Sequence, residues 1–134
     1  MDILFIDISK ILGESLAARL ASEALEKRWK KHKEAADLRR QEIATLQGSL
    51  YTAALEEIEA ALGLVMQELE EQRQLLRHEV LEKATFFAST IAIQRGAKAV
   101  LHKDRALYFD PTLDITEEIM ERLDQAAQRK DKTE

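Results

Sequence analysis

Three stretches hold side chains whose types and spacing could do chemistry. In "HEVLE", His78 and Glu82 stand four residues apart, one helical turn, close enough to share a metal ion. A zinc-protease helix needs a second histidine where Glu82 stands, so the pair reads as part of a solvated helix face. In "KRWKKHK", Lys27 to Lys33, cations surround Trp29, a pattern suited to nucleic acid or anionic lipid. Trp29 falls on an apolar helical stripe, however, which favours packing, and the net charge of −5 argues against general nucleic-acid affinity. In "AALGLVMQ", Ala60 to Gln67, Leu64 and Met66 lie off the apolar stripe. They suit either packing against another subunit or contact with varied polypeptides, to which the flexible thioether of methionine adapts.

The remaining candidates carry less. His32 falls on an apolar stripe and reads as a register-setting polar residue, and His102 flanks a turn. There is no glycine-rich phosphate loop and no Ser/His/Asp arrangement, and the 134 residues include no cysteine. Neither an enzyme, a bound metal nor a cofactor is expected.

The elements that carry these residues follow from hydrophobic period. "ILFI", Ile3 to Ile6, is a short continuous apolar run, the pattern of a buried strand. Ser9 to Leu12 could make one helical turn stopped by Gly13, with Ser15 capping the helix that follows. From Leu25, apolar positions step by three and four through Trp29, His32, Ala36, Arg39, Ile43, Leu46 and Leu50, a coiled-coil seam with two polar members. After "QGS", a second seam runs through Tyr51, Leu55, Ile58, Leu62, Val65 and Leu69 and continues to Ile91. Gly96 is placed to end it.

The two seams predict an antiparallel helical hairpin with its tip near Gly48. Charge agrees: Lys27 to Arg40 holds seven basic and two acidic residues, and Glu56 to Glu71 holds six acidic and no basic ones. Folding back at Gly48 sets one block against the other, which would select register more than add stability.

The last segment, "AKAVLHKDRALYFDPTLDITEEIMERLD", predicts a β-hairpin from Ala99–Leu101 and Ala106–Phe109 with a turn at Lys103 to Arg105. A helix follows, opened by an Asp114/Glu117 capping box and striped by Ile115, Ile119 and Leu123. Residues 1–14 and 97–125 thus read as a β base with a closing helix, 15–96 as a helical arm, and 126–134 as a polar tail that frays.

Composition sets the outer bounds. Four glycines, one proline and 34% charged residues favour long helices. Much of the 46% apolar content is alanine, which buries little area, so one subunit is short of core and self-association is expected. Unpaired strand edges at Ile3, Phe5, Val100, Leu101, Leu107 and Phe109 are the assembly candidates. No apolar run approaches the roughly 18 residues of a membrane span, and stable membrane insertion is not expected. "MDILFIDIS" lacks the basic start of a signal peptide, so the chain is expected to be cytoplasmic or a mature form.

Taken together, "ILFIDISKILGES" at the start and "GAKAVLHKDRALYFDPTLDITEEIMERLD" at the end resemble the Skp, or OmpH-like, family of periplasmic chaperones. The aspartate–Ile–Thr–acidic helix start after strand and Asp-Pro is the most specific piece. The motifs cover about the first 15 and last 40 residues, and the middle matches by architecture. The resemblance implies a mostly α fold with a small β base, and a homotrimer in which strands of three subunits close one barrel. It also implies an ATP-independent holdase whose helical arms surround unfolded outer-membrane β-barrel proteins in the periplasm. Leu64 and Met66 are then client-contact candidates. Family arms are often strongly basic, whereas this chain is acidic. The alternative from another class is a coiled-coil scaffold or adaptor docking one folded partner.

Overall fold

The structure is a computed structural model, and it describes residues 3–133. It consists of strand β1 (Ile3–Ile6), helix α1 (Ile8–Glu14), helix α2 (Leu16–Glu42), helix α3 (Gly48–Arg95), strand β2 (Ala99–His102) and helix α4 (Thr116–Thr133). Single 3-10 turns lie at Ile43–Thr45, Lys103–Arg105 and Pro111–Leu113. The chain divides into two compact units, one formed by Met1–Ala21 with Leu76–Glu134 and the other by Ser22–Leu75.

The first unit is built on a parallel pair: Ile3 lies opposite Ala99, Leu4 opposite Val100, Phe5 opposite Leu101 and Ile6 opposite His102. Parallel strands need a long crossover, and here the three intervening helices supply it. The β-hairpin expected from residues 99–109 is corrected in this respect. His102 Nδ1 accepts from the Asp104 N–H at 3.1 Å, and the Ala106 N–H donates to Lys103 O at 3.1 Å. These bonds make a 3-10 turn that leads residues 106–109 off without a ladder. The other side of β1 is met by Asp114 through an isolated parallel bridge, with the Ile115 N–H donating to Phe5 O at 2.9 Å.

Behind this pair, Leu4, Ile6 and Ile11 pack with Val80, Ala84, Ala88, Ile91 and Ala92 of α3, with Ile115 just before α4, and with Ile119 and Leu123 of α4. The expected α4 stripe is therefore the core face. Alanines on α3 let the other elements approach closely, so a thin set of side chains fills a dense centre.

The junctions are held by side chains that replace missing helical bonds. Asp7 Oδ1 caps α1 by accepting from the Lys10 N–H at 3.1 Å, and α1 runs through Gly13 to Glu14 without stopping there. Buried Ser15 caps α2 as its position suggested, accepting from the Ala18 N–H at 3.2 Å. Asp124 of α4 satisfies the Leu16 N–H at 2.7 Å. Gly96, at φ 69°, ends α3, with the Gly96 N–H on Ile93 O and the Ala97 N–H on Ala92 O. That pair is the Schellman arrangement, which needs the left-handed residue glycine supplies.

The start of α4 departs from a capping box: Asp114 Oδ1 accepts both the N–H and the hydroxyl of Thr116, while Glu117 accepts from Lys10. α4 remains helical through Thr133, so most of the stretch expected to fray is regular, and Glu134 lies outside the described residues.

The second unit is an antiparallel helical hairpin. Ala36, Ile43 and Ile58 form its core, with Ala54, Leu55 and Leu62 packed against them. Leu25 and Leu69 are buried too, and Trp29 and Val65 are half-buried. Arg28 donates to the Gln72 side chain across the two helices. The fold-back occupies Leu46 to Gly48, and Gly48 takes φ 63° as α3 begins.

Candidate functional site

The sites suggested for chemistry dissolve into helix surface. His78 Nε2 lies 2.9 Å from Glu82 Oε1, but both side chains are exposed, and no group of three metal-ligating residues exists among the described residues. His32 and Arg39, expected as polar members of the seam, are exposed. With Ala36, Ile58, Leu62 and Val65 they border a groove of about 220 Å³ between α2 and α3. A two-helix seam covers a narrower stripe than a multi-stranded coiled coil, which leaves these long polar side chains in water. Leu46, Leu50 and Tyr51, also expected on the seams, are exposed for a related reason: at the fold-back the facing helix has already ended.

The opposed charge blocks do not form cross-helix ion pairs. The pairs in the hairpin lie within one helix, Arg39 with Glu42 at 3.0 Å, Arg40 with Asp37 at 2.9 Å and Arg73 with Glu70 at 4.0 Å. Among the described residues, no ion pair involves Lys27, Lys30, Lys31 or Lys33.

What the two units do present is apolar surface. On the hairpin, Leu64 and Met66 are 63% and 59% exposed, and Leu38 and Leu75 are also exposed. Leu64 and Met66 point away from the seam because each turns about 100° from Val65. On the first unit, Leu107 and Tyr108 are 109% and 84% exposed in the segment that has no strand partner. Ile3 and Leu101 are exposed as well, and Val100 is half-buried. Phe5 differs from the other assembly candidates. It is buried and stacks on Phe109 with ring centroids 4.5 Å apart, so it belongs to the interior of the first unit.

Phe86 and Ile93 were missed. Both are strongly exposed on α3. Their spacing of seven residues, two turns on one face, is the signal that could have found them. Ile93 also borders an open groove of about 460 Å³ with Ile6, Ile8, Ala88, Ala92 and Val100.

Electrostatics tie β1 to the chain beyond β2. The Lys103 ammonium lies 2.8 Å from the Asp7 carboxylate, and with the Lys10 N–H it holds the Asp7 carboxyl below its ordinary value. The same pair raises Lys103, and the Glu117 carboxylate raises Lys10. Thr112 lowers Asp110 by hydrogen bonding. No helix among the described residues is long and apolar enough to cross a membrane.

The arrangement of a strand-and-helix unit interrupted by a helical hairpin can be compared with known proteins. No curated protein sequence matches the chain. One solved structure that is similar is the crystal structure of an OmpH-like protein from Caulobacter crescentus CB15, described as an outer membrane chaperone. It matches at a TM-score of 0.63 and 15% identity, covering 92% of this chain and 84% of that one, which supports the shared fold. A family model described as outer membrane protein (OmpH-like) matches residues 2–123, through the last core leucine of α4. The chain is a member of the OmpH-like family.

Proposed function

We propose that this protein is an ATP-independent holdase that works as a homotrimer and shelters unfolded outer-membrane β-barrel proteins in the periplasm. The observation that carries the reading is the set of large apolar side chains left in water on a folded hairpin, Leu64 and Met66 above all. They are separate from the seam that folds the hairpin, so they are available to a client. Binding of this kind sums many weak contacts, each exposed leucine or methionine adding about 1–2 kcal/mol at most when covered. It needs neither a deep site nor a nucleotide.

The test is suppression of aggregation of a urea-unfolded β-barrel protein on dilution. Changing Leu64 and Met66 together to Ser is expected to leave helicity unchanged and to weaken protection partially, since two contacts among many are lost. Protection equal to wild type would remove these residues from the client surface. Failure of the wild-type protein to protect several unrelated barrel clients would defeat the holdase reading itself.

For assembly, the exposed Leu107 and Tyr108 beside an open strand edge support a trimer joined through the base. Leu107→Asp should reduce the particle mass measured by light scattering toward that of one 134-residue subunit while the far-ultraviolet helical signal persists. A wild-type mass of one subunit at micromolar concentration would count against it. Phe5 is unsuited to this test, because its stacking on Phe109 makes any polar replacement a folding defect.

A further inference from the structure

The tip of the hairpin differs in kind from the rest of the molecule. From Ile43 to Leu55, "IATLQGSLYTAAL", thirteen consecutive residues carry no Asp, Glu, Lys or Arg, in a chain that is 34% charged. Within this stretch Leu46, Leu50 and Tyr51 are 39%, 67% and 39% exposed. Around them stand uncharged hydrogen-bonding side chains, Thr45, Gln47, Ser49 and Thr52. The backbone is pre-shaped: Leu46 N–H donates to Ile43 O at 2.9 Å, buried Ile43 anchors the turn, and Gly48 holds φ 63°.

We propose that this tip is a membrane-contact site, at which Leu46, Leu50 and Tyr51 enter the headgroup–acyl boundary of a zwitterionic bilayer reversibly and without spanning it. Depth is the first argument. The uncharged start of α3, Gly48 to the residue before Glu56, is about 12 Å long at 1.5 Å per residue. Elements lying in the interface enter by roughly 5–10 Å, so the tip can enter without drawing a charge below the headgroups. Composition is the second, since an aromatic phenol beside leucines and hydroxyl or amide groups suits a boundary that is apolar on one side and wet on the other.

Area separates a bilayer from a protein partner. Three partly exposed side chains on a convex turn offer roughly 300 Å², well under the ~800 Å² that each side of a stable protein interface contributes. A bilayer requires no matching shape. Charge selects the lipid: Arg39 and Arg40 are already paired with Glu42 and Asp37, while Glu56, Glu57 and Glu59 make no ion pair among the described residues. The surroundings of the tip are net negative, which disfavours an anionic surface.

The test is co-sedimentation of the full chain with phosphatidylcholine vesicles, with no client present, so its outcome is independent of the holdase reading. The wild-type protein should bind, and about 0.5 M salt should change this little, because no charge pair is involved. Leu46→Ser with Leu50→Ser should weaken binding roughly tenfold. Leu38→Ser with Leu75→Ser, also exposed on the hairpin, should leave it unchanged. If the tip double variant loses helicity, Leu50→Lys alone serves in its place. The proposal is overturned by absence of wild-type binding, or by equal loss in both pairs of variants. Binding confined to phosphatidylglycerol vesicles and abolished by salt would assign the contact to Lys27, Lys30 and Lys31 and overturn it as well. So would a particle mass that falls when Leu46 and Leu50 are changed, since a second copy would then occupy the tip.

Discussion

The two units hold themselves together in different ways. In the first, Leu4, Ile11, Ile91, Ile115, Ile119 and Leu123 are essentially without solvent contact, drawn from a strand, three helices and the residue before α4. Caps at Asp7, Ser15 and Asp124 satisfy the helix starts around them. In the second, Ile43 alone reaches that degree of burial, and two helices share one stripe. A two-helix hairpin has no third layer to cover its outer faces, so most of its side chains meet water whatever their type. The same poverty of core that makes the hairpin depend on a narrow seam leaves apolar residues free for contact with something else.

That contrast can be broken where it is strongest. Ile119→Ala should destabilise the first unit by about 2–5 kcal/mol, because a fully buried isoleucine leaves a cavity that several elements must close. Urea denaturation followed by far-ultraviolet circular dichroism measures it. A loss under about 1 kcal/mol would mean that this core is looser than its burial indicates.

A smaller effect is expected in the hairpin. Ile58→Ala removes the central contact with Ala36 and Ile43, but the site is rimmed by water and can partly collapse, so about 1–2 kcal/mol is expected. Amide hydrogen exchange should show the loss confined to residues 25–69, with protection of α4 unchanged. Deprotection spread equally over α4 would show that the two units unfold as one.

The least effect concerns acid. Asp7 has a folded value below its ordinary 3.8, so its pairing contributes stability above that value and loses it as pH falls through the lower folded value. The stability difference between wild type and Asp7→Asn should therefore be the same at pH 7 and pH 5 and shrink by pH 3. At the alkaline end, Lys103 is raised above 10.5, so the pair is lost only as pH rises beyond the ordinary lysine range. A difference that stays constant down to pH 3 would show that neither the Lys103 pair nor the cap on α1 draws on the charge of Asp7.

Local pattern carried most of the fold. The hairpin, its turn at Gly48, the cap at Gly96 and the stripe of Ile115, Ile119 and Leu123 depend on neighbours a few residues apart, which hydrophobic period and glycine placement record directly. The errors fall on pairings between distant residues. Residues 99–109 look like a hairpin because two apolar runs flank a polar turn, yet β2 finds its partner in β1, 96 positions away in register. His32 and Arg39 keep the seam spacing but not its burial, because spacing does not tell how many helices share a seam. Leu64 and Met66 lie outside the seam spacing, and their exposure follows from that geometry. Phe86 and Ile93 lie on the outer face of α3, which the period of the inner stripe does not record.

The parallel pairing of β1 with β2 also orders events in time. Closing a loop of about 96 residues costs roughly 1.8 kcal/mol more than closing one of about 12, since the entropy grows with the logarithm of length. A step that depends on so distant a contact should be slow, whereas helices joined by a tight turn meet quickly. The hairpin then acts as an internal splint: once formed, it replaces a floppy loop of its own length with a stiff one, shortening the effective span that Ile3 to Ile6 must search before reaching Ala99 to His102. During synthesis that search cannot begin until β2 and the helix behind it have been made. The apolar run at the start of the chain must therefore remain unpaired while everything between is completed.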